Sequence, residues 1–223
     1  MTRYVALGWH AGEEVRGTVE WQQASGWRPV HLCKPGFAPR TLIDVGAGSG
    51  TFALYNAFPD AYRVMIDPLE EHAPDEPPAN GEFITTAIGD EVGTVQIQLG
   101  RQTLEHSTVS GWRVGREAES REVPVTTLDA LWAERGWEPP FGLKIDTEGY
   151  EDRVIKGAAS LLPETQFVIS EVQVADRFRD SYSVAGFFGL LASQGFVLHD
   201  ILDGHKGVEN GGLTFIDALF VRP

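Results

Sequence analysis

Four carboxylates and a cluster of glycines stand out in this chain as groups that could do chemistry together. Asp44 precedes Gly46-Ala47-Gly48-Ser49-Gly50, Asp67 and Pro68 follow in the next apolar run, and Asp146 and Glu148 lie within Leu143-Lys144-Ile145-Asp146-Thr147-Glu148-Gly149-Tyr150-Glu151. Glycines after a strand let the backbone come close to a ligand, and the helix opening at Thr51 begins with unpaired N–H groups. Two cofactor classes use such a turn. A dinucleotide site prefers G-x-G-x-x-G, whereas the spacing here is G-x-G-x-G with an acid two places before the first glycine. That carboxylate repels a pyrophosphate but attracts a sulfonium and an ammonium group, and S-adenosylmethionine carries both. Asp67 is placed to accept hydrogen bonds from two ribose hydroxyls. Nicotinamide sites use an acid in the same place, so Asp67 alone does not separate the two classes.

Strands are needed to aim these residues. Thr41–Val45 runs into the glycine turn, a helix-like piece follows over Thr51–Phe58, and further strands are expected at Tyr62–Ile66 and Glu82–Ile88. About fifty residues then intervene before the apolar run Phe141–Ile145, far more than a crossover needs. That stretch is expected to hold a hairpin strand at Thr94–Leu99, a polar loop, and another strand near Val123–Val125. Thr127 then caps a short helix that ends at Gly136. A helix over Tyr150–Leu161 and a strand over Gln166–Val172 come next. Val184, Phe187, Phe188 and Leu191 at i, i+3, i+4 and i+7 mark an amphipathic helix closed by Gly195. Two last strands, Phe196–Ile201 and Thr214–Val221, share a short Gly-rich loop and should be antiparallel neighbours.

The alternation of strands and helices predicts an α/β fold: a mostly parallel seven-stranded sheet, an antiparallel C-terminal strand, and helices on both faces. In such a sheet the ligand crevice lies at the carboxyl ends of the strands, where all four carboxylates would converge. Ile88 and Gly89, at the end of the third strand, complete an expected cofactor-binding set of Asp44, Gly46, Ala47, Gly48, Gly50, Thr51, Asp67 and Pro68. Lys144 shares a strand face with Asp146 by the period of two, and either pairs with a carboxylate or reaches the crevice. Residues 1–40 read as an N-terminal cap or lid, and 41–223 as the main domain with an insertion at about 91–127. Trp9, Trp21, Trp27 and Trp112 could stack on a flat acceptor, though lid or core packing accounts for each of them.

The chain has 18 Lys and Arg against 32 Asp and Glu, a formal net charge of −14, which argues against a nucleic-acid partner because that binding draws on counterion release by cations. A single cysteine, Cys33, excludes an intrachain disulfide and a Cys-based zinc site. Met1–Glu20 is too polar for a secretory signal and no run approaches a membrane span, so a soluble cytoplasmic protein without a membrane partner is expected.

The sequence resembles the FkbM family of S-adenosylmethionine-dependent methyltransferases, class I enzymes of Rossmann-like fold. The family pattern is a D-V-G-A turn, then T-L-D, then L-K-I-D-x-E-G-x-E with a trailing K-G-A. Here these are Asp44-Val45-Gly46-Ala47, Thr127-Leu128-Asp129, Leu143–Glu151 and Lys156-Gly157-Ala158, and the closing Asp217–Arg222 also fits. Gly48-Ser49-Gly50 replaces a frequent Asn-x-Gly, and Asp67-Pro68 replaces a frequent Glu-Pro. The resemblance implies O-methylation of a sugar or natural-product hydroxyl by in-line displacement, with a small-molecule acceptor and self-association left open. Asp146 is the first candidate base, with His106 in the polar loop second and Lys144 the third catalytic candidate. Asp146, Glu148 and Glu171 offer oxygens of the kind Mg²⁺ prefers, although the same acids suffice without a metal. The competing readings are an NAD(P)-dependent dehydrogenase and a non-catalytic S-adenosylmethionine-binding protein.

Overall fold

The computed structural model of the chain describes residues 32, 36–76, 78–99, 107–109, 119–206 and 212–223, together with the backbone of 3–10 and 13–20. Strands β1 (Arg3–His10) and β2 (Glu13–Glu20) pair antiparallel within the segment expected as a cap. The main body follows in order: β3 (Thr41–Val45), α1 (Phe52–Ala57), β4 (Tyr62–Asp67), β5 (Gly81–Thr85), β6 (Ala87–Ile88), β7 (Gly93–Gln98), β8 (Ser120–Thr126) and α2 (Leu128–Arg135). After these come β9 (Phe141–Ile145), α3 (Glu151–Lys156), β10 (Thr165–Gln173), α4 (Val184–Ser193), β11 (Val197–Lys206) and β12 (Leu213–Val221).

Seven strands form the main sheet in the order β11-β12-β10-β9-β3-β4-β5. The pairs from β5 through β10 are parallel, and β12 runs antiparallel to both β10 and β11. Parallel strands covered on both faces read as continuous apolar runs, which is why β3 and β9 are buried at every position. Alternate residues feed two cores. Ile43, Val45, Leu143, Ile145 and Val168 pack with Leu128, Val154 and Phe187 of α2, α3 and α4. Leu42, Met65, Phe167 and Leu219 face the other way, against Leu54 and Tyr55 of α1.

Three elements differ from the sequence expectation: the strand expected over Phe196–Ile201 continues as β11 to Lys206, through part of the expected Gly-rich loop. The third strand breaks at Thr86, whose hydroxyl donates to the Ala87 and Pro124 carbonyls, so Ile88 leaves the main sheet and pairs with β8. The insertion thereby builds its own three-stranded sheet, β6-β8-β7, around Leu69, Ile97, Val123 and Val125. The helix expected over Tyr150–Leu161 ends at Lys156, with Gly157 as its cap. A Cβ on Gly157 would overlap the Gly89 carbonyl, so the chain can pass there only as glycine.

Two motifs of the resemblance prove to be braces for this turn. Thr127 accepts from the Ala130 N–H at 3.1 Å to start α2, and the Asp129 carboxylate accepts from the N–H groups of Ser160 (2.8 Å) and Leu161 (2.9 Å). With Asp129 N donating to Gly157 O at 3.0 Å, the T-L-D and K-G-A segments hold α2 and the end of α3 together.

Candidate active site

The glycine turn is fixed by its neighbours. Gly46 and Ala47 donate to the Ile66 carbonyl (2.9 and 3.1 Å), and Asp146 N donates to Val45 O at 3.0 Å, so three strand ends are tied together. A Cβ on Gly46 would overlap the Asp146 carbonyl, and Gly46 itself sits at φ 70°. Gly48, at φ 50°, faces open space, so this backbone offers itself to a ligand without side-chain obstruction.

Asp44 lies beneath this turn rather than in it. Fully buried, its Oδ2 accepts from Tyr55 Oη (2.5 Å) and Thr51 N (3.3 Å). Its Oδ1 has the Lys144 ammonium 3.1 Å away as an ion-pair partner, without a well-directed hydrogen bond. Lys144 also donates to Gly46 O at 3.0 Å and lies 3.5 Å from Asp146 Oδ2. Burial works against the ammonium, but the Asp44 and Asp146 carboxylates outweigh it and hold the Lys144 pKa above its ordinary value. Held between the two carboxylates, the Lys144 ammonium braces the Gly46 turn from below. Thr51 N is likewise spent on Asp44 rather than left for an anion.

Asp67 receives the turn from the next strand. Its Oδ2 accepts from Gly48 N at 2.9 Å, and its Oδ1 accepts from Leu69 N at 2.9 Å and contacts His72 Nδ1 at 2.8 Å. Each oxygen retains acceptor capacity toward the cavity it lines. His72, the last residue of the short 3₁₀ turn Glu70–His72, carries no motif that could have marked it in the sequence.

The far wall is acidic and clamped. Arg177 donates to Glu148 Oε2 at 2.7 Å and to Glu171 Oε1 at 2.8 Å, with its guanidinium over the rings of Phe178 and Phe215. Glu148 adopts φ 52°, rare for a residue with a side chain, and its carbonyl accepts from the Thr108 hydroxyl of the insertion. Glu151, the last acid of the motif, folds back to accept from the N–H groups of Thr147 (2.9 Å) and Gly149 (3.1 Å), pinning the turn that carries Glu148. Burial raises the carboxyl pKa of Glu171, with Asp146 and Glu148 adding to the effect and Arg177 opposing it. Asp217, opposite Glu171 in the β10–β12 ladder, is pushed up to about 7 by burial and by Asp146.

Asp146 differs from these acids in facing open volume. It lines the cavity, and 37% of its side chain is accessible to solvent. Burial raises its pKa, Lys144 opposes this, and Glu148 and Asp44 reinforce it. The desolvation effect is strongest when a ligand fills the cavity and removes that residual water.

The cavity itself has a volume of about 330 Å³ at the carboxyl ends of β3, β4, β9 and β10, within the usual range for small-molecule sites. Gly46, Ala47, Gly48, Gly50, Thr51, Asp67, Pro68 and Ile88 line it, as do Lys144, Asp146, Glu148 and Glu171. Asp44 and Gly89 do not reach it: Asp44 sits beneath the turn, and Gly89 is packed behind Tyr150 and Val125. Ile97, Ser107 and Val109 of the insertion close one side. His106, Trp21, Trp27 and Trp112 lie outside the described residues, as does the side chain of Trp9. Asp146, Glu148 and Glu171 do not converge as a ligand set, because Arg177 holds two of the three. The open glycine cradle and the acids fit a small, net-cationic cofactor.

A glycine turn after the central strand, this strand order with β12 reversed, and a cavity at the strand ends define a class I methyltransferase domain. The chain belongs to the family described as the methyltransferase FkbM domain, whose sequence model matches residues 44–198. That assignment sets aside the dehydrogenase reading. A comparison with curated protein sequences gives no match. Among solved structures, magnesium protoporphyrin IX methyltransferase from Synechocystis PCC 6803 with bound SAM is 10% identical, covering 86% of this chain and 74% of that one, with a TM-score of 0.44. The Burkholderia thailandensis 1,6-didemethyltoxoflavin-N1-methyltransferase is 14% identical over 86% and 73%, with a TM-score of 0.41. LepI in complex with SAM is 9% identical over 92% of this chain and only 50% of its own, with a TM-score of 0.44. The family match, not these distant likenesses, carries the assignment. Among the described residues no helix is long and apolar enough to cross a membrane.

Proposed function

We propose that the protein transfers a methyl group from S-adenosylmethionine to a hydroxyl of a small molecule, a sugar or another natural product, with Asp146 as the base. The observation that supports this reading is the position of Asp146: a cavity-facing carboxylate between a fixed ammonium and the clamped acids, with its pKa raised. The bound cofactor supplies an electrophilic methyl on sulfur. Gly46, Gly48 and Asp67 hold the cofactor, and Asp146 receives the hydroxyl proton as the oxygen's electron pair forms the new C–O bond and the C–S pair returns to sulfur. Orientation supplies most of the acceleration, because the methyl group is already activated and the acceptor oxygen has only to be held in line. The net-negative wall disfavours acceptors carrying phosphate or carboxylate near the reacting hydroxyl.

Incubation with methyl-labelled cofactor and a panel of sugars, polyketide alcohols and amines, read by mass spectrometry, tests the reading. Label on a hydroxyl oxygen is expected; label on nitrogen or carbon alone, or on no acceptor, overturns it. Asp146→Asn should cut turnover by about 10²–10⁴-fold, the usual share of a general base, while leaving S-adenosylhomocysteine affinity nearly unchanged. Because the base works deprotonated and its pKa is raised, wild-type activity should fall as pH drops through a value above the ordinary carboxylate range.

A further inference from the structure

Outside the cavity, a second group of side chains gathers where β11 meets β12. Asp203 and Asp217 stand directly opposite each other in that antiparallel pair, and His205 follows two residues later on the same strand. One ligand atom from each of the three lies within 4.8 Å of the others, and among the described residues this is the group of His, Cys, Asp and Glu that converges so closely. The imidazole is already oriented: it stacks on Phe215 with centroids 4.1 Å apart and planes at 17°, and its Nε2 lies 3.9 Å from Asp203 Oδ2.

Like charges directly across an antiparallel pair are destabilising. Arg177 and Lys144 relieve the acids of the cavity, and Asp203 Oδ1 is occupied by Gly204 N at 2.7 Å. The Asp217 carboxylate receives no hydrogen bond and no ion pair among the described residues, although it is more than half buried and faces another acid. Two carboxylates and an imidazole are a donor set that first-row divalent metals accept and that Mg²⁺ and Ca²⁺, which take oxygen alone, do not favour.

We propose that Asp203, His205 and Asp217 form a binding site for one first-row divalent cation, Zn²⁺ in preference to Mn²⁺. Ligand atoms at about 2.0–2.2 Å from zinc in a tetrahedron lie about 3.3 Å apart, so the present spacing closes onto an ion by side-chain rotation without moving the strands. Three protein ligands leave a position for water. The site borders the methyl-transfer cavity: Glu171, which lines the cavity, stands opposite Asp217 in the β10–β12 ladder, and Asp203 and His205 lie beyond it on β11, outside the cavity lining.

Isothermal titration of the untagged, chelator-treated full chain with ZnCl₂, MnCl₂ and MgCl₂ tests the proposal. One Zn²⁺ per chain is expected, with Mn²⁺ weaker and Mg²⁺ weaker still. His205→Ala and Asp217→Asn should each weaken Zn²⁺ binding at least tenfold. His205 is half exposed, so its alanine variant keeps the fold. Asp217→Asn removes a like-charge opposition, so in the absence of metal it should melt no lower than the wild type. Absence of Zn²⁺ binding overturns the proposal. So does binding unchanged in both variants, or binding lost in Glu171→Gln alone, which would put the ion in the cavity.

Discussion

Replacing Lys144 with methionine preserves the length of the side chain and deletes its charge, leaving Asp44 fully buried with Tyr55 and Thr51 as partners but no cation. At the observed 3.1 Å the lost attraction is about 5 kcal/mol for an effective dielectric constant of about 20. The desolvation of the ammonium, no longer required, offsets part of this, and breaking a buried pair from one side costs about 3–5 kcal/mol. For a chain of this size each kcal/mol moves Tm by about 2–4 °C, so Lys144→Met should melt roughly 6–20 °C lower than the wild type. Asp44→Asn should cost less, because Lys144 then keeps Asp146 Oδ2 at 3.5 Å and the Gly46 carbonyl at 3.0 Å. The double variant should recover much of the Lys144→Met loss, since no buried charge is stranded under the turn. Denaturant unfolding of the four proteins as a double-mutant cycle measures this. Single losses that add to within about 0.5 kcal/mol would refute a coupled pair, and a larger loss for Asp44→Asn than for Lys144→Met would refute the ordering.

Asp67→Ala removes the acceptor of Gly48 N, Leu69 N and His72 Nδ1 together with the expected ribose contact, so calorimetry should find S-adenosylhomocysteine about 10–100-fold weaker, roughly 1.4–2.8 kcal/mol; unchanged affinity would take Asp67 out of the cofactor site. Gly157→Ala forces the end of α3 away from the Gly89 carbonyl and should cost about 1–3 kcal/mol in denaturant unfolding; a wild-type midpoint would mean that the turn yields freely. Burial pushes the Glu151 carboxyl from 4.5 up to about 7, against its hydrogen bonds. A folded pKa above the unfolded one means the folded state binds the extra proton, so this group's stabilising contribution is full below about pH 4.5 and is lost as pH rises through about 7. Stability measured from pH 4.5 to 7.5 should therefore decline more steeply in the wild type than in Glu151→Gln, and equal slopes would show that Glu151 titrates normally.

The strands of the main sheet were legible because parallel strands buried on both faces leave unbroken apolar runs such as Leu42-Ile43 and Leu143 to Ile145, each ending at a glycine or an acid. The break at Thr86 was not legible, since the strand changes sheets there through hydroxyl bonds to carbonyls that only the fold brings near. Among the site residues, the carboxylates announced themselves by sitting at strand ends. Their partners did not. Arg177 comes from an irregular segment with no periodicity, and its role depends on Phe178 and Phe215 meeting across 37 residues of chain. Asp129 read as part of a motif, yet its use as a brace for Ser160 and Leu161 follows from a contact 31 residues away.

The charge balance of the site bears on which acid can act. Asp44 is matched by Lys144, Glu148 and Glu171 share Arg177, and Asp67 spends both oxygens on the backbone and His72. Each of these acids is held in place by a donor, and a base held by a donor must break that bond to take a proton. Asp146 alone combines a line of approach from the cavity with a cation far enough away, at 3.5 Å, to leave an oxygen for the substrate. Neighbouring carboxylates and burial raise its proton affinity, and Lys144 keeps enough of it ionised to accept. Arg177 is the cation that Glu148 and Glu171 share, and Glu148 is one of the charges that raise the Asp146 pKa. We propose that Arg177, which is not among the residues lining the cavity, bears on the proposed transfer through the charge and position of Glu148.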